Sequence, residues 1–184
     1  PDLPTAMRFS DTSSMYSGSG FTRGHIIASA DVQYSREANQ QTFYYTNMQP
    51  QYYNFNAGEN YEGIWVRMEN WVRKKAQSLH DGDTLFVCKG GTIDNESQIL
   101  KRVKNQLIVP RYFYMALLMK SGGQYKAIGL WAEHKSTVDK SKVASHAITI
   151  DELERLTGID FFCNLPDDIE HKVQGSISLI SWGL

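Results

Sequence analysis

Thr22-Arg23-Gly24-His25, Asn47-Met48-Gln49-Pro50-Gln51 and Phe55-Asn56 stand in that order ahead of the run Gly63-Ile64-Trp65-Val66-Arg67-Met68-Glu69-Asn70-Trp71-Val72-Arg73. The last run sets the local fold. Ile64, Met68 and Val72 recur at i, i+4 and i+8, which predicts a helix over Gly63–Ser78 with one apolar stripe. Trp65, Glu69 and Arg73 form a second stripe, one residue further round. A carboxylate and a guanidinium therefore lie on one edge of the buried face, where residues lining a site would sit. The run Arg73-Lys74-Lys75 also suits the negative end of the helix dipole, an explanation that needs no ligand.

Outward from this helix the elements mix. Thr42 to Thr46 is rich in β-formers and predicts a strand, ended by a turn over Asn47–Pro50. Tyr52 to Glu62 reads as a loop, and Val32 to Gln41 as a short helix or loop. Thr84 to Cys88 predicts a strand stopped by Gly90-Gly91. Ile99 to Leu107 is a loop or strand. Val109 to Lys120 and Tyr125 to Glu133 predict a hairpin across Ser121-Gly122-Gly123-Gln124. Thr149 with Glu152 forms a capping box, opening a helix that runs to about Leu156 and ends at Gly158. Pro1 to Gly20 reads as an irregular approach, and Ser176 to Leu184 carries no clear assignment. No repeat or linker splits the chain, so one domain over residues 1–184 of the α+β class is expected.

Composition sets limits. The chain has 184 residues, 41% of them hydrophobic and 21% charged, as in an ordinary globular domain. No apolar run is long enough to span a membrane. The formal net charge of -1 counts mildly against a nucleic-acid partner, although a groove needs only local positive charge. Cys88 and Cys163 have no zinc spacing; buried free thiols are the simpler reading and one disulfide the other. The chain opens on Pro1 rather than Met, which points to a processed or trimmed chain.

Several residues carry chemistry. Alone, a histidine before Ile26-Ile27 is more often a satisfied core residue. As a functional group, His25 would be a neutral imidazole that takes a proton from water. Asn56 is by default a turn residue, but its side-chain oxygen suits Mg²⁺, which wants oxygen ligands and keeps most of its waters. Glu69 is either a solvated carboxylate paired with Arg73 or an acceptor for a metal's waters. Asn47 caps a turn or holds the loop that bears His25. Gly90-Gly91 and Gly122-Gly123 lack the Lys-Ser/Thr of a phosphate loop. Ser29 and Asp31 beside His25 invite a hydrolase triad, but no GxSxG exists.

Taken together these residues resemble the DNA/RNA non-specific endonuclease family, the ββα-metal (His-Me finger) nucleases. The motifs that carry the resemblance are Arg23-Gly24-His25, Asn47-Met48-Gln49-Pro50-Gln51, Phe55-Asn56, Trp65 and Glu69. Val109-Pro110 and Leu156-Thr157-Gly158-Ile159-Asp160-Phe161-Phe162 extend it to about Pro166. The resemblance implies a ββα catalytic core over residues 21–78, within a mainly antiparallel sheet flanked by helices. It implies His25 as general base, Asn56 as direct ligand of Mg²⁺ (Mn²⁺ as a substitute) and Glu69 as acceptor for metal waters. Asn47 would support the site, Arg73 would contact phosphate, and Arg23 would give structural or electrostatic support. The implied activity is hydrolysis of DNA and RNA to 5′-phosphate products, through backbone contacts that carry little sequence information. The implied location is secreted or periplasmic, with mitochondrial members known, and the oligomeric state stays open, a dimer included.

Three departures matter. The family's Asp before Arg-Gly-His is Thr22 here, and a carboxylate there would be expected to raise the pKa of the base. The loop between Asn56 and Trp65 is longer than common, so Asn54 or Asn60 competes for the ligand role. Only Pro1 to Phe21 precede the motif, where the family has strands and a further phosphate-binding arginine, which leaves room for a missing part of the domain. Two other readings follow: a degenerate nuclease fold that binds nucleic acid or a protein without cutting, and a phosphodiesterase for small phosphoesters.

Overall fold

The structure is a computed structural model that describes residues 3–7, 13–104 and 107–184. The irregular approach expected over Pro1–Gly20 lies partly outside these residues. Its described part holds a short helix α1 (Ser13–Tyr16). Strand β1 (Thr22–His25) follows, then helix α2 (Arg36–Gln41), which Ser35 opens by accepting from the Ala38 N–H.

The expected strand at Thr42–Thr46 is not one. Its end is a 3-10 turn over Tyr45–Asn47, and strand β2 (Met48–Gln51) occupies the place of the expected turn. Local propensity lost to a side-chain hydrogen bond: Asn47 Nδ2 donates to Thr42 O at 2.8 Å, closing the segment on itself. Pro50 is tolerated because β1 and β2 form a two-stranded antiparallel ribbon in which every strand is an edge. The expected loop over Tyr52–Glu62 contains a one-turn helix α3 (Tyr53–Asn56) and a 3-10 turn over Glu59–Tyr61. Helix α4 (Ile64–Gln77) buries Ile64, Trp65, Met68, Glu69 and Val72, so the first predicted stripe faces inward and the second does so up to Glu69, with Arg73 half-buried at its end.

Strand β3 (Thr84–Gly91) runs through Gly90-Gly91 instead of stopping there. The glycines serve close approach: a Cβ on Gly90 would lie 2.5 Å from Tyr114 Oη on the neighbouring strand. A second ribbon joins β4 (Ile99–Val103) to β5 (Leu107–Pro110). The run expected over Val109–Lys120 is therefore two strands, β5 and β6 (Tyr112–Ser121), divided at Arg111. Strand β7 (Gln124–Glu133) returns from β6 through a two-residue Gly122-Gly123 turn, and β8 (Ala147–Ile148) adds a short edge. Helices α5 (Ile150–Thr157), α6 (Asp167–Gln174) and α7 (Leu179–Trp182) complete the chain.

The main sheet is antiparallel with the order β3-β6-β7-β8. Strand β6 is buried on both faces, and the period of two along it separates two cores. Phe113, Met115, Leu117 and Met119 pack with α4, Phe55 and Trp182. Tyr114, Ala116 and Leu118 pack with Ile150, Leu153, Phe161 and Val173 of the opposite layer. Helices on both faces of an antiparallel sheet make the α+β architecture that the sequence predicts. Cys88 and Cys163 are free and exposed, which corrects the reading of buried thiols and removes that of a disulfide.

Candidate active site

The site is built on the β1-β2 ribbon and the inner edge of α4. In the ribbon Gly24 lies opposite Gln49 and His25 opposite Met48. A Cβ on Gly24 would sit 2.2 Å from Cδ of Gln51, so only glycine leaves room for that fully buried amide. Trp65 Nε1 donates to His25 O at 3.1 Å, which ties the start of α4 to the histidine strand. One turn on, Glu69 enters the same edge, and one further turn brings Arg73.

The His25 ring meets the edge of Phe43 at 5.0 Å and 90°. Its Nε2 is buried and has no hydrogen-bond partner. Burial lowers the His25 pKa below the ordinary imidazole value, so the ring is neutral and can accept a proton at neutral pH. Asn47 holds the backbone just beyond it. The Asn47 Oδ1 accepts from Ile27 N at 2.9 Å while its Nδ2 donates to Ile27 O at 2.9 Å, a strand-like pair made by a side chain.

Thr22 does not face the imidazole through any hydrogen bond. Its hydroxyl donates to Gln51 O at 3.0 Å, and Asn56 Nδ2 donates to the same Thr22 Oγ1 at 3.2 Å. Because the hydroxyl proton is already committed to a carbonyl, Thr22 offers Asn56 only an acceptor. The amide nitrogen must turn toward Thr22, and the Asn56 Oδ1 faces away from it. Asn54, the competing candidate, donates instead to Ser136 O at 2.9 Å. Asn60 sits in the left-handed region at φ 59° within the 3-10 turn.

Glu69 is 7% exposed, and burial pushes its pKa up to about 7 against the lowering pull of Lys89 and Arg73. Its Oε1 has no hydrogen-bond partner and lies 3.6 Å from Lys89 Nζ. Arg73 is occupied within the chain: Nη2 and Nε reach Asp31 Oδ1 at 2.8 and 2.9 Å, and Nη1 donates to Asn70 Oδ1 at 2.6 Å. Arg23 stands apart from these groups, its guanidinium over the rings of Tyr16 and Tyr45 at 5.4 and 5.7 Å. Asn47, Gln49, Asp31, Arg73 and Lys89 line one open cleft of about 910 Å³.

Sequence reasoning missed Lys89, Gln51 and the role of Asp31 as the carboxylate between two cations. The only signal for Lys89 was a lone charge in a β-rich run before two glycines. His134 Nε2 accepts from Tyr52 N at 2.7 Å, and its ring packs against Phe55. It thus props the turn that leads into Asn56.

The residues fit a hard cation. Among the described residues no group of three or more His, Cys, Asp or Glu is arranged to hold a metal. A cation that takes oxygen donors and keeps its waters needs no such group. By their chemistry Asn56 Oδ1, a neutral oxygen donor turned away from Thr22, and the Glu69 carboxylate, an acceptor for an ion's waters, suit such a cation.

The model of the DNA/RNA non-specific endonuclease family matches residues 1–168. Mitochondrial nuclease EXOG of Xenopus laevis is 30% identical over 179 residues, covering 91% of this chain and 48% of that protein. Nuclease C1 of Cunninghamella echinulata var. echinulata is 29% identical over 170 residues, covering 90% of this chain and 65% of that protein. Human mitochondrial endonuclease G is 28% identical over 163 residues, covering 84% and 52%. This chain thus spans about half to two thirds of the length of these relatives. A crystal structure of the EndoG/EndoGI complex shares the fold with a TM-score of 0.70 at 19% identity, covering 86% of this chain and 66% of that one. The chain belongs to the DNA/RNA non-specific endonuclease family.

Proposed function

We propose that this chain is a metal-dependent endonuclease that hydrolyses phosphodiester bonds of DNA and RNA to 5′-phosphate products, with Mg²⁺ as its ion and Mn²⁺ as a substitute. The observation that carries this reading is the buried His25 Nε2 without a hydrogen-bond partner, on the strand that Trp65 ties to the start of the helix bearing Glu69. Native proteins rarely leave such atoms unpaired, and catalytic sites are among the exceptions.

Asn56 would hold the ion through Oδ1, fixed in direction by Thr22, and Glu69 would accept hydrogen bonds from the ion's waters. Bound there, the ion supplies stabilisation of negative charge on the phosphoryl and leaving oxygens. His25 performs the proton chemistry of this chain. Its neutral, unpaired Nε2 accepts a proton from the attacking water, and the Phe43 edge and the Trp65 bond to its carbonyl restrict its position. Arg73 would neutralise charge on a phosphoryl oxygen. Asn47 keeps the segment after His25 in place, and Arg23 supports the ribbon from its outer side through its two tyrosines. The catalytic unit is the core over residues 21–78, and backbone contacts without base contacts make the activity insensitive to sequence. A secreted or periplasmic destination belongs to the same proposal; the names of the relatives include mitochondrial proteins.

The test is nicking of supercoiled plasmid and of a structured RNA, with Mg²⁺ and with EDTA, by wild type and Asn56→Ala. The reading predicts cleavage of both substrates, its loss in EDTA, and a much higher Mg²⁺ requirement in Asn56→Ala than in Asn54→Ala or Asn60→Ala. Undiminished cleavage in EDTA would remove the metal from the reading. Binding of nucleic acid with no cleavage under any metal would favour the degenerate-fold alternative.

A further inference from the structure

Asp31 lies on a single 3-10 turn, Ser29–Asp31, six residues after His25 in the chain. Its two oxygens are divided between two cations from regular elements. Oδ1 takes the Nε–Nη2 edge of Arg73 on α4, at 2.9 and 2.8 Å. Oδ2 takes Lys89 Nζ on β3 at 3.1 Å. The Arg73 edge is aimed at that spot because its Nη1 is held by Asn70. The Lys89 side chain is 7% exposed, Asp31 27% and Arg73 24%, so the lysine is the deepest of the three and the carboxylate lies over it. All three line the cleft that also takes in Asn47 and Gln49 of the ribbon.

We propose that Arg73 and Lys89 form a two-cation subsite for a backbone phosphate of the substrate, and that the Asp31 carboxylate fills this subsite until a phosphate replaces it. The inference rests on the reading of the chain as a nuclease and adds Lys89 as a phosphate-binding residue. The match is in charge and in shape. A phosphodiester carries one negative charge and two free oxygens, as a carboxylate does, and a guanidinium edge pairs with either. The exchange leaves the charge around Lys89 and the buried Glu69 unchanged. It is also feasible, because the Arg73–Asp31 pair is partly exposed and such pairs are weak, and the carboxylate sits on a short turn rather than on a strand or longer helix. Glu69, 3.6 Å from Lys89, is the other charged group facing the subsite. Two cations released from one carboxylate would also give this chain local positive charge despite its net charge of -1.

The experiment is fluorescence anisotropy of a labelled DNA duplex in EDTA across a salt series, for wild type, Asp31→Asn, Lys89→Met and Lys89→Arg. Removing the competing charge should make Asp31→Asn bind about 5-fold tighter, the scale of a partly exposed ion pair. Lys89→Met should bind more weakly, with a plot of log affinity against log salt shallower by about 0.9, one phosphate contact. Lys89→Arg keeps the charge and should restore the wild-type slope, which separates charge from packing. Thermal melts identify any variant that fails to fold, and Asp31→Asn with Lys89→Arg then decide the matter alone. If Asp31→Asn binds no tighter, or Lys89→Met keeps the full slope, the three side chains are a structural ion-pair network and the inference is wrong. A wild type that neither binds in a salt-dependent way nor cleaves would overturn the nuclease reading itself.

Discussion

His134 and His25 both lie among aromatic rings, and burial lowers the pKa of each. They differ in what their nitrogens meet. His134 is 3% exposed, accepts from Tyr52 N through Nε2 at 2.7 Å, and has Nδ1 2.8 Å from Pro110 O. A backbone donor on one nitrogen and a carbonyl on the other fix a single neutral tautomer. His25 keeps a buried Nε2 with no partner. The contrast extends to the regions around them. Among the described residues, every buried side-chain polar atom without a partner lies between Tyr16 and Trp71, apart from Arg111 Nε. An unpaired buried group costs roughly 1–3 kcal/mol. The ribbon and α4 therefore carry polar atoms that weaken folding, while the β6-β7 hairpin beside them buries chiefly apolar side chains and is paired along its length. On the proposed reading, substrate and ion are partners for the unpaired atoms of His25 and Glu69.

The largest effect should separate the two histidines by function. His25→Ala is expected to lose roughly 10²–10⁴-fold in cleavage rate, as removal of a positioned base does, with little change in melting temperature. His134→Ala should do the reverse: a loss of roughly 3 kcal/mol of stability from a buried ring and two hydrogen bonds, with residual activity in proportion to the folded fraction. Single-turnover cleavage and urea melts on both variants measure this. Equal losses of rate and stability in the two variants would erase the distinction.

The second effect is a pair of opposed pH slopes. His134 has its pKa lowered from 6.5 to about 4 by burial. Its contribution to stability is full above pH 6.5 and is lost as pH falls toward 4, a change of roughly 3 kcal/mol. Glu69 has its pKa raised from 4.5 to about 7. Its contribution is full below pH 4.5 and is lost as pH rises through 7. Urea melts from pH 4 to 8 should show that Glu69→Gln flattens the alkaline loss and leaves the acid loss intact. A Glu69→Gln curve parallel to wild type would show that the carboxylate is not the titrating group.

How much of this was legible follows from the kind of signal each part carries. Helix α4 and the β6-β7 hairpin announce themselves by periodicity, because burial of one face or two is a local pattern. The ribbon does not. Thr42–Thr46 has the composition of a strand, but Asn47 reaches back to Thr42 O and the strand forms instead at Met48–Gln51, across a proline. Gly90-Gly91 reads as a stop, whereas close approach to Tyr114 is a tertiary fact with no local trace. The candidate site residues His25 and Asn56 were readable only through the order of their motifs, whereas Glu69 also stood out on the Trp65-Glu69-Arg73 stripe of the helix. Asp31 and Lys89 meet across 58 positions of sequence, and no spacing rule connects them.

The smallest effect concerns Thr22, the position where the chain departs from its family's Asp. The sequence alone suggests that a charge here would tune the imidazole. The structure instead directs the hydroxyl to Gln51 O and the Asn56 amide. If that chain of two bonds orients the metal-binding oxygen, removal of the hydroxyl should weaken Mg²⁺ binding by the worth of one neutral hydrogen bond, about 2- to 10-fold. Thr22→Val should show this in a direct Mn²⁺ titration by electron paramagnetic resonance, and Thr22→Ser should bind as wild type does. The acid limb of the pH–rate profile should stay in place in both, because neither variant changes a charge near His25. Thr22→Asp is the sharper probe. A carboxylate can accept from Asn56 Nδ2 but cannot donate to Gln51 O, so it brings two acceptors face to face where one hydrogen bond stood. Asp at 22 should therefore cost stability without improving metal affinity. An upward shift of the acid limb in Thr22→Asp, with metal affinity unchanged, would return position 22 to the imidazole and undo its assignment to Asn56.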